Sequence, residues 1–393
     1  MLTTNSSLMD GINRHILTIS TALNSKENLE VVVCTVNPKG ELNEALEKHG
    51  IKTYSLNAAN GHDWHILKSF YRVIKTYQPD IVHIHVMAIM ERIISSLFFR
   101  RINYVLTMHG ISDKVEHISL RMRFESILQH LFSISYTAIC FISNGVKQML
   151  SMPSTYSEVI YNALPFKSLP SPEFQLQHLL NLPLSTPIIG TSCRIANVKN
   201  PEAFTRVMCK VLTNIPEVHA VIIGDGDENL KKICNEIVRQ YKVGDRFHWL
   251  GYRQDAPQLV QDLNCFVMTS ISEGLPTSLL ECMALKTPIA FLEGEGGLQD
   301  LAQYNETEGP IGVTAAPGNI EEFADKITLL IQNPTMAREY AERAYVVGKK
   351  YFDIESVADK LAKLYIKVED EKYFPIFNGG NHANSTRDTM FRI

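Results

Sequence analysis

The stretch Ser272-Glu273-Gly274-Leu275-Pro276-Thr277-Ser278-Leu279-Leu280-Glu281-Cys282-Met283-Ala284 holds the most specific chemical pattern in the chain. A strand-like run, Cys265-Phe266-Val267-Met268, leads into it. Pro276 is expected at the first position of a helix, where its missing N–H costs nothing. Leu279, Leu280, Met283 and Ala284 then recur at helical spacing and face a core. Glu273 stands in the loop before this helix, and Glu281 about one and a half turns inside it. Between the two carboxylates lies a helix N-terminus, whose N–H groups and dipole suit an anion such as a phosphate. Two glutamates in isolation are solvated side chains; a loop glycine, a helix-start proline and this spacing together are harder to obtain by chance.

The E-x7-E pattern and its surroundings resemble the signature of retaining glycosyltransferases of family 4, which have the GT-B fold. The resemblance implies that Glu273 contacts a donor sugar and that Glu281 holds the ribose hydroxyls of a nucleotide. The backbone of Gly274, Leu275, Pro276 and Thr277 would receive sugar hydroxyls and phosphate. Arg194 and Lys199, five residues apart after the run Ile188-Ile189-Gly190-Thr191-Ser192, are similar to the family's Arg-x4-Lys pair on the donor diphosphate. Breaking a sugar–phosphate bond builds negative charge on the leaving nucleotide, and fixed cations aimed there lower the barrier. Alone, the two cations would as soon be solvated surface charges.

Val221-Ile222-Ile223-Gly224-Asp225-Gly226 runs from a strand into a Gly-x-Gly turn. A dinucleotide fingerprint would need glycine where Asn229 stands, which argues against a dehydrogenase. The turn resembles the GDG turn of the glycosyltransferases, and Leu250-Gly251-Tyr252-Arg253 the loop beside the nucleobase, with mainly backbone contacts there. Thr107-Met108-His109-Gly110 is similar to the family's Thr-x-His segment, which implies that His109 lies at the reaction centre. Asp10-Gly11 takes the place of the family's Gly-Gly, with Gly11 as the matching position; an Asp beside a diphosphate is repulsive. Gly296-Gly297-Leu298-Gln299-Asp300 resembles the loop after the last core strand. His83 and His85 alternate on one strand and share a face; no third ligand is placed beside them, and no metal or other cofactor is expected.

These residues need elements to position them. Strand signals at 29–35, 51–54, 80–85, 101–107 and 138–142 alternate with helix signals at 42–48, 64–77 and from Asn144. After a proline-rich connection between Pro165 and Pro187 the alternation restarts, with strands at 187–192, 219–223, 247–250, 265–268 and 288–291. Helices are expected at 201–212, 228–241, 256–263 and 320–332. Such alternation argues for α/β architecture with parallel sheets covered on both faces. Ligands of doubly wound sheets bind outside the carboxyl ends of the strands. The expected organisation is GT-B: an N-terminal acceptor-side domain at 1–168, a nucleotide-sugar domain at 184–350, and a helix at 351–370 that crosses back to the first domain. A disordered tail is expected at 371–393. The first strand is expected to be short, leaving a sheet neighbour exposed.

The chain has 393 residues, enough for two cores. Its net charge of −4 gives no general affinity for nucleic acid. Seven cysteines without a CxxC pair suit reduced thiols in a cytosol. No signal peptide and no membrane-spanning apolar run is read, so a cytoplasmic location is expected. Lys114 to Ser133 combines Lys114, Arg121 and Arg123 with Ile118, Leu120, Phe124, Ile127, Leu128, Leu131 and Phe132. That pattern suits either a core-facing helix or a peripheral contact with an anionic membrane on the inner face. The resemblance as a whole implies metal-independent, retaining transfer of a hexose from a nucleotide diphosphate sugar, expected to be a UDP-sugar, to a saccharide or lipid-linked acceptor. Bacterial surface polysaccharide or glycoconjugate synthesis is the implied setting. The alternatives are a nucleotide-sugar epimerase or phosphorylase of the same architecture, and a catalytically silent sugar-nucleotide-binding partner protein.

Overall fold

The structure, a computed structural model, describes residues 1–3, 6–8, 11–58, 65–85, 102–110, 136–150, 156–166, 175–370 and 391–393. It divides into two units, Met1–Ala163 with Ile354–Ile393, and Leu164–Asp353. The basic, amphipathic stretch from Lys114 to Ser133 lies outside the described residues.

Unit 1 runs through β1 (Leu2–Thr3), α1 (Gly11–Asn24), β2 (Leu29–Glu30), β3 (Val32–Thr35), α2 (Glu41–Lys48), β4 (Lys52–Ser55), α3 (His65–Tyr77), β5 (Ile81–Ile84), β6 (Asn103–Met108), β7 (Ala138–Phe141), α4 (Asn144–Leu150) and β8 (Ser157–Val159). The strands β3, β5 and β7 are buried along their whole length, as parallel strands covered on both faces must be. Their order is β4-β3-β1-β5-β6-β7-β8, and every pairing is parallel. The chain therefore winds one way from β1 through β3 and β4 and the other way from β5 onward. The point of reversal lies between β1 and β5.

Unit 2 opens with α5 (Gln175–Leu179) and continues through β9 (Ile188–Ser192), α6 (Pro201–Asn214), β10 (His219–Ile223), α7 (Glu228–Tyr241), β11 (Phe247–Gly251), α8 (Ala256–Gln261), β12 (Cys265–Met268), β13 (Ser272–Glu273), α9 (Thr277–Leu285), β14 (Ile289–Leu292), β15 (Glu295–Gly296), α10 (Gly297–Thr307), β16 (Val313–Ala315), α11 (Ile320–Gln332) and α12 (Pro334–Phe352). Its main sheet is parallel in the order β11-β10-β9-β12-β14-β16, so this reversal falls between β9 and β12. The helices start on recognisable chemistry. Asn200 caps α6 by accepting from the Ala203 N–H, with Pro201 in the first turn; Asp227 caps α7 by accepting from Asn229 and Leu230. Phe204, Val207, Met208 and Val211 of α6 pack with Ile222, Val267, Phe323 and Ile327 into the core of this unit.

The boundary falls earlier than residue 168. The Leu164 N–H donates to Phe352 O (3.1 Å), and the Phe166 N–H donates to Asp353 Oδ1 (3.1 Å). The start of the expected connection is thereby tied into unit 2. From Ile354 the chain belongs to unit 1 again. There α13 (Ile354–Asp370) joins Val357, Ala358, Leu361 and Leu364 to the core formed by Ile16, Ile19 and Leu23 of α1.

The last three residues depart from the expected disorder. Strand β17 (Phe391–Arg392) pairs in parallel with β2. Ile393 donates to Glu30 O (2.8 Å), accepts from the Val32 N–H (2.7 Å), and is 3% exposed. The Arg392 carbonyl accepts from the Asp80 N–H (2.9 Å) on the other side. The Met1 ammonium donates to Val32 O (2.6 Å), so the two ends of the described chain meet head to tail along β3. The edge expected to lie open beside the short β1 is covered there by backbone hydrogen bonds.

Candidate active site

All of the sequence-derived site residues of unit 2 lie in loops at the carboxyl ends of its strands or on the helix that follows one. Backbone bonds stitch those loops together. Cys193 N–H donates to Ile223 O (3.0 Å), Ile195 N–H to Asp225 O (2.9 Å), and Gly224 N–H to Gly251 O (2.8 Å). Gly224 is required at this seam: its φ is +149°, and a Cβ there would stand 1.8 Å from the Cys193 carbonyl oxygen. Across the reversal point, Ile271 N–H donates to Val198 O (2.8 Å), and the Thr269 hydroxyl donates to the carbonyls of Lys199 (3.2 Å) and Asn200 (3.0 Å).

These bonds fix the Lys199 loop against the Glu273 loop. Lys199 Nζ lies 2.5 Å from Glu273 Oε1, both side chains being mostly shielded. Glu273 is itself held by the small pairing of β13 with β15, opposite Gly296. Gly296 has φ +71°, and a Cβ there would meet the Glu273 carbonyl oxygen at 2.1 Å, so only glycine allows this approach. Arg194 is exposed on the same loop as Lys199. The Cys193 thiol, just before Arg194, is pushed up to about 11 by burial, so it stays protonated and is no nucleophile at neutral pH.

Pro276 differs from expectation by one position. It is the residue before α9, with φ −74°, and its carbonyl accepts from the N–H groups of Leu279 (2.9 Å) and Leu280 (3.2 Å). The first helical N–H groups are then those of Thr277 and Ser278, which have no acceptor within the helix. Leu275 and Pro276 are buried, whereas Gly274, Thr277, Ser278 and Glu281 are half-buried. Past β11, Tyr252 is 55% exposed, while Arg253 is engaged by Asp255 through Nε–Oδ1 (2.8 Å) and Nη2–Oδ2 (2.6 Å).

The remaining candidates belong to unit 1. Gly11 is exposed at the start of α1; its neighbour Asp10 is outside the described residues. His109 follows β6, and its Nε2 lies 3.2 Å from Nδ1 of His85. Burial pushes His109 down to about 3 and holds His85 well below the usual imidazole range, so both are neutral at pH 7. Sequence reasoning missed His15, whose ring centroid lies 6.2 Å from His85 and 6.0 Å from His109. Its spacing of four residues from Gly11 would have placed it one turn on, had α1 been recognised. Among the described residues, no group of three or more His, Cys, Asp or Glu side chains is arranged to hold a metal ion, and no helix is long and apolar enough to cross a membrane.

Two family models match this chain: Glycosyltransferase Family 4 over residues 9–165, and Glycosyl transferases group 1 over residues 176–347. The chain carries two glycosyltransferase domains, one per unit. The N,N'-diacetylbacillosaminyl-diphospho-undecaprenol alpha-1,3-N-acetylgalactosaminyltransferase of Campylobacter jejuni is 29% identical over 148 residues, 38% of this chain and 37% of the relative. The N-acetyl-alpha-D-glucosaminyl L-malate synthase of Bacillus anthracis is 22% identical over 82% of this chain and 84% of its own. The match thus spans little more than a third of the first relative and most of the second. Among solved structures, Anabaena HepE in complex with UDP and glucose superposes with a TM-score of 0.74, at 18% identity over 93% of this chain and 98% of HepE. Sucrose-phosphate synthase from Thermosynechococcus elongatus gives 0.72, also at 18% identity, over 91% and 94%. The fold is GT-B, with a doubly wound parallel sheet in each unit.

Proposed function

We propose that this glycosyltransferase moves a hexose from a UDP-sugar to a saccharide or lipid-linked saccharide acceptor, with retention of anomeric configuration, in the synthesis of a bacterial surface polysaccharide or glycoconjugate. The observation that carries this reading is the Lys199–Glu273 pair, held across the sheet reversal of unit 2 beside the open N-terminus of α9. A sheet reversal is where doubly wound folds bind ligands, and a helix N-terminus favours phosphate. Arg194 and Lys199 bind the donor diphosphate and stabilise the charge that grows on it as the sugar leaves. Two fixed cations do this without a metal. Glu273 accepts hydrogen bonds from hydroxyls of the hexose, and Glu281 from the ribose. Gly224, Tyr252 and Arg253 line the side of the nucleotide, and Gly11 and His109 act from unit 1, His109 on the sugar near its anomeric carbon. The acceptor hydroxyl attacks the face from which the phosphate departs, and the phosphate oxygen takes its proton.

Supporting the UDP assignment, HepE is described in complex with UDP; supporting a lipid-linked acceptor, the Campylobacter relative is named for a diphospho-undecaprenol substrate. The test is transfer from a panel of UDP-hexoses to saccharide and lipid-linked acceptors, with the anomeric proton of the product read by NMR. An α-linked product from an α-linked donor supports the proposal. An inverted product, or sugar release without transfer to any acceptor in the panel, would remove it.

A further inference from the structure

The line of the unit 1 sheet that holds β1 is built from two separate pieces of chain. Leu2 of β1 stands opposite Cys34, and Arg392 of β17 stands opposite Glu30, further back along the same run of β2 and β3. The second piece makes the contacts of a docked peptide. On one side Ile393 donates its N–H to Glu30 O (2.8 Å) and accepts from the Val32 N–H (2.7 Å). On the other side the Arg392 carbonyl accepts from the Asp80 N–H (2.9 Å), and the Arg392 N–H donates to Asp80 Oδ2 (2.9 Å). Extended peptides that are recognised by a sheet bind in this way, through backbone bonds to its strands and seats for alternate side chains.

Side chains give the position its preferences. Ile393 is 3% exposed and belongs to the core of unit 1 with Leu29, Val31 and Ile81. Arg392 stays exposed, yet its Nε lies 3.3 Å from Glu30 Oε2 and its Nη1 donates to Tyr77 O (3.4 Å). A basic residue followed by a branched aliphatic one answers these groups. The hold is shallow, however. Strand β17 is two residues long. It borders a mainly apolar cavity of about 40 Å3, lined in part by Met1, Phe70, Ile74, Tyr77, Arg392 and Ile393. Groups beside a void lose dispersion contacts on that side. Segments with few buried apolar contacts open without unfolding the rest of their domain. What fills the line also bears on β1 beyond it. Thr3 Oγ1 donates to Asn13 Oδ1 (3.0 Å) and Asn13 Nδ2 to Ser7 O (2.8 Å), close to Gly11 at the start of α1.

We propose that unit 1 carries a strand-binding slot between β2 and the start of β5, selective for an extended segment with a basic residue before a branched aliphatic one, and that residues 391–393 fill it from the same chain as a detachable strand. The slot is independent of the glycosyl-transfer reading, and its test uses neither donor nor acceptor.

The test is hydrogen exchange of the full chain, read amide by amide by NMR. The Val32 and Asp80 N–H groups bond to the docked strand, whereas those of Ile139 and Ile160 bond to Tyr156 O and Phe141 O elsewhere in the same sheet. In the intact protein Val32 and Asp80 should exchange at least about tenfold faster than Ile139 and Ile160, at a rate independent of chain concentration. Exchange as slow as that of Ile139 and Ile160 would make β17 a fixed part of the core and overturn the proposal. A rate that rises on dilution would give the slot to the same strand of a second copy, and also overturns it. Ile393→Asp, which sets a charge in the buried seat, should speed Val32 and Asp80 by a further factor of about ten and leave Ile139 and Ile160 unchanged. A synthetic peptide of residues 386–393 with the native sequence should then restore their protection in a saturable way. The same peptide carrying Arg392→Glu or Ile393→Asp should not. No restoration by the native peptide, or equal restoration by the substituted ones, contradicts the slot; should Ile393→Asp fail to fold, the exchange rates of the intact chain still decide.

Discussion

Lys199 and Glu273 carry opposite charges 2.5 Å apart, and each would have a different partner once a donor is bound. The pair keeps both side chains in place and neutralises a carboxylate that would otherwise repel the diphosphate. Removing the carboxylate alone should therefore separate two functions. Glu273→Gln is expected to bind UDP roughly 2- to 5-fold more tightly, because Lys199 loses its competitor, while hexose transfer falls by about 10²-fold. Unchanged UDP affinity measured by calorimetry would mean that the pair does not regulate Lys199. Arg194→Ala should lower kcat by about 10²-fold with a smaller change in KM, since its charge matters most as the phosphate departs. A change confined to KM would place Arg194 in ground-state binding only. The buried histidines set a pH dependence. Burial lowers His15 from 6.5 to about 4, so between those values the unfolded chain binds the extra proton and stability falls as pH falls. The loss should approach ~3 kcal/mol for His15 alone, by a shift of about 2.5 pH units at 1.36 kcal/mol each. Denaturant titrations at pH 7 and pH 4.5 check this: wild type should lose more stability than His15→Phe.

At the scale of elements, the strand β17 is the contact that sequence reading had no means to find. Ile393 joins the core of unit 1, and its backbone bonds both Glu30 and Val32. Ile393→Ala should cost ~2 kcal/mol in urea unfolding of that unit; an unchanged midpoint would mean that the end of the chain is not held there in solution. Much of the remaining framework was legible because parallel strands buried on both faces read as continuous apolar runs, as in Cys265–Met268 and His219–Ile223. Two of the helices that went unread bury residues that do not read as a strong apolar stripe. The buried residues of α12 are Ala337, Ala341, Ala344, Val347, Gly348 and Phe352, of which the first three and Gly348 are correct in spacing but too small to register as hydrophobic. The buried face of α1 includes Asn13, His15 and Ser20, polar residues that break the apolar stripe, with Asn13 and Ser20 hydrogen-bonded inside the fold. The types of the site residues in unit 2 could be read locally, since the two glutamates bracket one strand-to-helix connection. The Lys199–Glu273 bond could not, because it joins positions 74 residues apart through loops whose registry depends on the whole sheet.

For the molecule as a whole, both units place their chemistry by the same rule, at the carboxyl ends of parallel strands beside a reversal of winding. Unit 2 gathers cations, carboxylates and a helix N-terminus there; unit 1 gathers neutral imidazoles. The central claim is that unit 2 binds the nucleotide of a sugar donor. The most direct test is the melting temperature of the full chain, wild type and Glu281→Ala, with UDP, GDP and ADP in turn. A ligand that binds only the native state must raise Tm. The account predicts a rise for wild type with UDP and not with the purine nucleotides, and a rise in Glu281→Ala only at UDP concentrations ~10-fold or more higher, since a hydrogen bond to a charged group is worth about 1.5–3 kcal/mol. No response of folded wild type to any of the three nucleotides, or an equal response in the variant, would contradict it.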